Sequence, residues 1–213
     1  MSTASSASGG SPILETLGLF AIVFVLQWIA ALFSIGLMAG LFVLSPPIGT
    51  NPWTIITSVY AHGGVGHLLS NSVALVLFGW PIARATTRVR FHTFFILTGA
   101  IAGVSQVLVT GFFAFFTGGP ATGVLGASGA VFALMGYLLA GNRISDGLAA
   151  QIQVPFWMTL LIFAVLAGII TIMTAAPGVA LIAHFTGFLL GLLAGRVGVL
   201  EVRGIKGAES VRT

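Results

Sequence analysis

The chain has 213 residues, of which 57% are hydrophobic and 6% charged, with no cysteine and a formal net charge of +4. A soluble domain carries roughly a quarter charged residues, so most of this chain belongs in lipid. The missing cysteines exclude disulfides and thiolate metal sites, and so small a basic excess is no argument for nucleic acid.

The N-terminus is Ser/Gly/Ala-rich, and residues 1–16 read as a disordered cytoplasmic tail without the basic n-region of a signal peptide. Six apolar runs follow, judged against the ~20 helical residues needed to cross a hydrocarbon core. They are Leu17 to Leu44, His67 to Ala83, Phe91 to Phe113, Ser128 to Ala140, Pro155 to Ala175 and Val179 to Leu200. The first is long enough to tilt, and the fourth is short if it starts at the serine. Residues 201–213 read as a second cytoplasmic tail. The expected fold is an all-α membrane protein with six transmembrane helices in one compact bundle, residues 17–200.

With six spans, both termini and the loops after the second and fourth spans share one side. All eight basic residues, Arg84, Arg88, Arg90, Arg143, Arg196, Arg203, Lys206 and Arg212, fall on that side. Lys and Arg near span ends are retained in the cytoplasm, so both termini are expected there. An odd span count would scatter these residues over both faces. Glu15, Asp146, Glu201 and Glu209 also lie on or near the cytoplasmic side. No carboxylate is then available on the outer side to orient a histidine, so a Ser-His dyad is expected rather than a triad. The same count excludes paired-carboxylate catalysis, and no His-Glu-x-x-His zinc motif occurs.

The polar residues inside apolar runs carry the chemistry, because a polar group there asks for a partner or a function. The loop from Ser45 to Gly66 is too long for a plain connector and carries Trp53 and Tyr60, which suit a membrane interface. It ends at His62, and His67 and Asn71 then open the second span four residues apart, on one helix face. Ser128 opens the fourth span within Gly126-Ala127-Ser128-Gly129. His184 lies about five residues into the sixth, ~7–8 Å deep at helical rise. His67, Asn71, Ser128 and His184 therefore share the outer third of the bilayer. Gly187, Gly191 and Gly195 repeat every four residues on the sixth span, while Gly129, Ala133 and Gly136 offer small residues on the fourth. Such spacing lets two helix backbones approach closely and would bring Ser128 to His184. His92, beside Arg88 and Arg90, reads as a cytoplasmic interface residue.

Three motifs, His67-x-x-x-Asn71, Gly126-x-Ser128-Gly129 and Ala183-His184-x-x-Gly187-x-x-x-Gly191, together resemble the rhomboid family of intramembrane serine proteases. The resemblance covers Leu17 to Leu200 and implies a compact rhomboid-like bundle in the cell membrane; this chain is expected to lack a folded soluble N-terminal domain and a seventh span. It implies Ser128 as nucleophile and His184 as general base. His67, Asn71 and the Ser128 backbone N–H would hold the oxyanion. Gly126 would allow the tight turn of the nucleophile loop, and His62 would organise its own loop without acting on substrate. The implied substrates are single-span transmembrane proteins, cut near the outer face within membrane lipid. No cofactor, metal or nucleic acid is implied, and movement of the fifth span is implied to admit substrate.

Two positions depart from the family's pattern. Phe132 stands one helical turn after Ser128, where relatives often carry tyrosine; it keeps an aromatic face for His184 and loses the hydroxyl. Thr54 follows Trp53 where many relatives carry arginine, and it cannot make that residue's forked hydrogen bonds.

Singly, each signal has a plainer explanation. Ser128 could bond back to its own helix, His184 could be a packed histidine, and Asn71 and the glycines could be ordinary interhelical contacts. Their joint order and depth favour a protease. The main rival is an inactive rhomboid-like protein that binds membrane clients. A small transporter would be expected to show mid-membrane charges or internal repeats.

Overall fold

The computed structural model describes residues 10–120, 122–141 and 155–201. The expectations resting on Arg143, Asp146, Arg203, Lys206, Glu209 and Arg212, and on residues 1–9, lie outside the described residues. Eight α-helices make up the described fold. They are α1 (Pro12–Phe33), α2 (Ile35–Phe42), α3 (Thr54–Tyr60), α4 (Val65–Ala85), α5 (Arg88–Thr117), α6 (Ser128–Ala140), α7 (Phe156–Met173) and α8 (Leu181–Val197). No strand occurs among the described residues. An isolated antiparallel bridge joins Leu44 to Val124 through paired backbone bonds of 2.9 and 2.8 Å.

Four helices, α1, α4, α5 and α7, are long and apolar enough to cross a membrane, while α6 and α8 are shorter apolar helices. This is a multi-pass membrane protein. The single long run expected from Leu17 to Leu44 is two helices instead. Ser34 adopts an extended conformation (φ −166°, ψ 150°), and its side chain accepts from Leu37 N–H at 2.9 Å, capping α2. The first helix also begins at Pro12, inside the stretch read as a tail, because proline suits a first helical position where the N–H is not needed. At the other extreme α5 runs 30 residues, ~45 Å at helical rise. The Thr87 side chain caps its start by accepting from Arg90 N–H at 3.3 Å, and Gly118 ends it at φ 67°.

Helices α6 and α8 form the centre of the bundle, backbone against backbone. A Cβ on Gly187 would collide with the Gly129 carbonyl, one on Gly191 with the Ala133 carbonyl, and one on Gly195 would stand 2.6 Å from the Tyr137 carbonyl. The period-four glycines thus meet the predicted partner helix along its length. Around this pair, α5 packs on both helices, α4 on α6 and α7 on α8. Phe20, Leu75, Phe91, Phe95 and Leu134 fill the main core with no appreciable exposure. A smaller core of Ala167, Phe188 and Leu192 joins α7 to α8.

The described basic residues gather at one end. Arg84 ends α4, Arg88 and Arg90 begin α5, and Arg196 lies in the last turn of α8. There Glu15 binds Arg88 Nε at 2.7 Å and His92 Nε2 at 2.8 Å, tying α1 to α5. Arg90 bonds the Glu201 carbonyl, and Tyr137 Oη accepts from Leu200 N–H at 3.2 Å. The N-termini of α4, α6 and α8, which carry the candidate site, lie at the opposite end.

Candidate active site

Ser128 is the first residue of α6. The chain reaches it through Gly126, whose φ of +136° is one that residues with a Cβ rarely adopt. Gly126 N–H donates to the Ser58 carbonyl at 2.9 Å, so α3 anchors the turn. A Cβ on Gly126 would stand 2.7 Å from His67 Cε1, 3.0 Å from His67 Nε2 and 3.8 Å from Ser128 Oγ. The turn is therefore closed to any side chain and sits between the His67 ring and the serine hydroxyl. Because Ser128 opens a helix, the N–H groups of that first turn have no intrahelical partners and present the positive end of the helix dipole.

His184 lies one turn into α8 and is buried. Its ring stacks on Phe132, with centroids 4.2 Å apart and planes inclined by 18°. Its Nδ1 is buried without a hydrogen-bond partner among the described residues, so no carboxylate orients it there. The helix that carries it is pinned by Gln106 of α5, whose Oε1 accepts from Ala183 N–H at 3.1 Å. Gly129 sits beneath, where a Cβ would stand 2.6 Å from Ala102 Cβ, and Gly187 lies against its carbonyl.

His67 and Asn71 lie on one face of α4, and Asn71 Nδ2 donates to the His67 carbonyl at 3.0 Å. His67 Nδ1 accepts from Gly63 N–H at 3.3 Å. A neutral imidazole that accepts at Nδ1 carries its proton at Nε2, and Nε2 is the nitrogen beside Gly126. His67, Asn71, Ser128, Phe132, His184 and Gln106 all line one open cavity of about 820 Å³.

His62 stands apart from this group. It is buried in the loop between α3 and α4, edge-on to Phe20 at 4.7 Å and to His67 at 5.3 Å. Burial, with the neighbouring His67 second, lowers its pKa to about 4, so the ring is neutral at pH 7. Its backbone is held by Gln27 of α1 through two bonds. The first loop is held by side chains that donate to backbone carbonyls. Trp53 Nε1 donates to the Gly40 carbonyl at 3.0 Å, Thr57 Oγ1 to the Leu41 carbonyl at 2.6 Å, and Thr54 Oγ1 to the Asn51 carbonyl at 2.6 Å.

Sequence reasoning missed Gln27 and Gln106. Each is an amide in an apolar helix, the same signal that singled out Ser128 and His184. Among the described residues no group of three or more metal-ligating side chains occurs. The arrangement joins a hydroxyl at a helix start, an imidazole and several N–H donors in one cavity. That is the equipment of acyl transfer.

A family model described as the Rhomboid domain matches residues 49–200. The chain is 31% identical over 160 residues to "RHOMBOID-like protein 4" of Arabidopsis thaliana, a match covering 75% of this chain and 37% of that one. It is 30% identical over 142 residues to "Putative rhomboid protease YdcA" of Bacillus subtilis (strain 168), covering 66% of this chain and 64% of that one. The chain thus spans less than two thirds of the length of these relatives.

Proposed function

The chain belongs to the rhomboid family, and from that premise we propose that it is an intramembrane serine endopeptidase. In this reading the six longer apolar helices α1, α4, α5, α6, α7 and α8 are its spans and residues 17–200 its catalytic core. Both termini are cytoplasmic, the cell membrane is its location, and the cavity opens toward the outer face. Substrates are single-span membrane proteins whose helices unwind near that face, because a regular helix hides its peptide carbonyls in its own bonds.

Ser128 Oγ attacks the scissile carbonyl carbon while His184 accepts the hydroxyl proton. The carbonyl oxygen takes up the negative charge. His67 Nε2–H, Asn71 Nδ2–H and the Ser128 backbone N–H face that charge, each donor contributing ~3–4 kcal/mol in a dry site. When the C–N bond breaks, His184 returns its proton to the leaving amine. Water then attacks the acyl carbon while His184 takes its proton; as the C–Oγ bond breaks His184 returns that proton to Ser128 Oγ, and the new C-terminal acid is released. The Phe132 ring keeps the imidazole plane fixed through both proton transfers.

One observation carries this reading: Ser128, His184, His67 and Asn71, from three helices, line a single cavity. The test compares the parent with Ser128→Ala in liposomes containing a fluorogenic transmembrane substrate. A serine-directed fluorophosphonate is applied to the same samples. Cleavage and labelling by the parent alone are expected. Labelling of both proteins, or cleavage by both, would remove Ser128 as nucleophile. A folded parent that neither cuts nor labels would favour a client-binding protein without activity.

A further inference from the structure

Gln27 is the one amide side chain of α1, in a helix that is otherwise almost wholly apolar, and it is buried. Both ends of its amide are engaged by a single residue 35 positions away. Gln27 Oε1 accepts from His62 N–H at 2.9 Å, and Gln27 Nε2 donates to the His62 carbonyl at 3.3 Å. The second bond has a consequence beyond the loop it ties down. The His62 carbonyl and the Gly63 N–H belong to one peptide group, which is planar and trans, so they point in opposite directions. Gly63 N–H donates to His67 Nδ1 at 3.3 Å. An amide on α1 therefore holds one edge of a rigid plate whose other edge is aimed at the His67 ring. A bond at one end of a peptide group also polarises the other end, strengthening the second donor.

We propose that Gln27 is a positioning residue for His67, acting through the His62–Gly63 peptide group to keep the His67 proton on Nε2. The nitrogen so protonated faces the turn at Gly126, where a Cβ would lie 3.0 Å from it and 3.8 Å from Ser128 Oγ. Without Gln27 the plate is free to rotate and Gly63 N–H no longer claims Nδ1. The other tautomer then becomes accessible, and it turns a lone pair instead of an N–H toward the developing oxyanion. The packing of the His62 ring edge-on to Phe20 and His67 leaves the loop little room to compensate. This inference rests on the reading of His67 as an oxyanion donor.

The test reads the tautomer and the kinetics separately. The full-length protein is labelled with 15N-histidine, and the His67 signals are assigned by difference from His67→Gln. The parent is expected to show a protonated Nε2 and a bare, hydrogen-bonded Nδ1. Gln27→Met, which keeps the side chain's length without its hydrogen bonds, is expected to populate the Nδ1-protonated form. On a transmembrane substrate it should lower kcat by about 10- to 100-fold, part of what losing a whole oxyanion donor costs. KM should stay within about two-fold, as it does when only the transition state loses an interaction. In a His67→Ala background Gln27→Met should lower kcat no further, since its effect passes through that ring. A parent with Nδ1–H at His67 overturns the proposal. So does a Gln27→Met with unchanged tautomer and kcat, or one whose loss is equal in both backgrounds, the mark of a merely structural role. Should Gln27→Met fail to fold, Gln27→Asn, too short to span both bonds, is read in the same way. If the parent neither cuts nor labels, the protease reading fails while the tautomer comparison still decides the positioning.

Discussion

A methyl group at Gly126 would stand 2.7 Å from His67 Cε1 on a backbone whose φ of +136° already disfavours any Cβ. The strain term is ~1–3 kcal/mol. A displacement of the oxyanion donors by about an ångström is worth ~10²-fold in rate. Gly126→Ala is therefore expected to stay folded with a lowered melting temperature, and to lose activity far beyond what that loss of stability explains. Parallel melting curves and kcat measurements check this; a variant with parent kcat would show that the turn does not set the position of His67. The residues around this turn were legible in the sequence because histidine and serine in apolar runs are conspicuous, and their spacing falls in register on three helices. Gln27 and Gln106 obey the same rule but were passed over. Their partners are backbone groups 35 and 77 residues away, and no local pattern announces a bond to a distant N–H or carbonyl.

Among the elements, α6 and α8 show how a repeat in sequence becomes a distance in space. Gly191 lies so close to the Ala133 carbonyl that a Cβ cannot be accommodated without separating the helices, whereas a Cβ on Gly168 of α7 meets nothing within 4 Å. Gly191→Ala is expected to cost ~1–3 kcal/mol, as overpacking of a close contact does, and to reduce activity by moving His184 away from Ser128. Gly168→Ala is expected to be neutral, or stabilising by up to ~1 kcal/mol through the unfolded chain. Melting temperatures of both variants in one detergent decide it, and equal effects at the two sites would undo the packing argument. The small-residue seam was readable because period four is a property of composition along one helix face. The break at Ser34 was not, since hydropathy averaged over a window cannot register one extended residue whose side chain caps the next helix. Pro81, inside α4, did not end its helix, as membrane helices tolerate proline where neighbouring groups or local backbone adjustment satisfy the freed carbonyl.

At the scale of the whole molecule, α7 is held on one side only among the described residues. Its buried residues are Ala167 and Thr171, its neighbour is α8, and apolar side chains such as Leu161, Ile172 and Met173 face outward. The lining of the large cavity comes from α4, α5, α6, α8 and the loops between them. A substrate helix arriving in the plane of the membrane must pass a bundle whose other helices are locked, α6 to α8 by backbone contact and α1 to α5 by Glu15. Moving α7 costs the fewest buried contacts, so lateral entry is expected between α4 and α7. The native chain has no cysteine, which makes a clean test available. Cysteines placed near the outer ends of α4 and α7 and joined by a flexible, reducible bifunctional thiol reagent should lower cleavage of a transmembrane substrate on the order of ten-fold, and reductant should restore it. A matched pair joining α1 to α5, which Glu15 already ties together, should leave cleavage unchanged. Labelling by a small fluorophosphonate should survive both cross-links, since that probe reaches Ser128 through water. Full cleavage by the α4–α7 cross-linked protein would move the entry path elsewhere. Loss of labelling as well would mean that the cross-link had distorted the site and had not closed a gate.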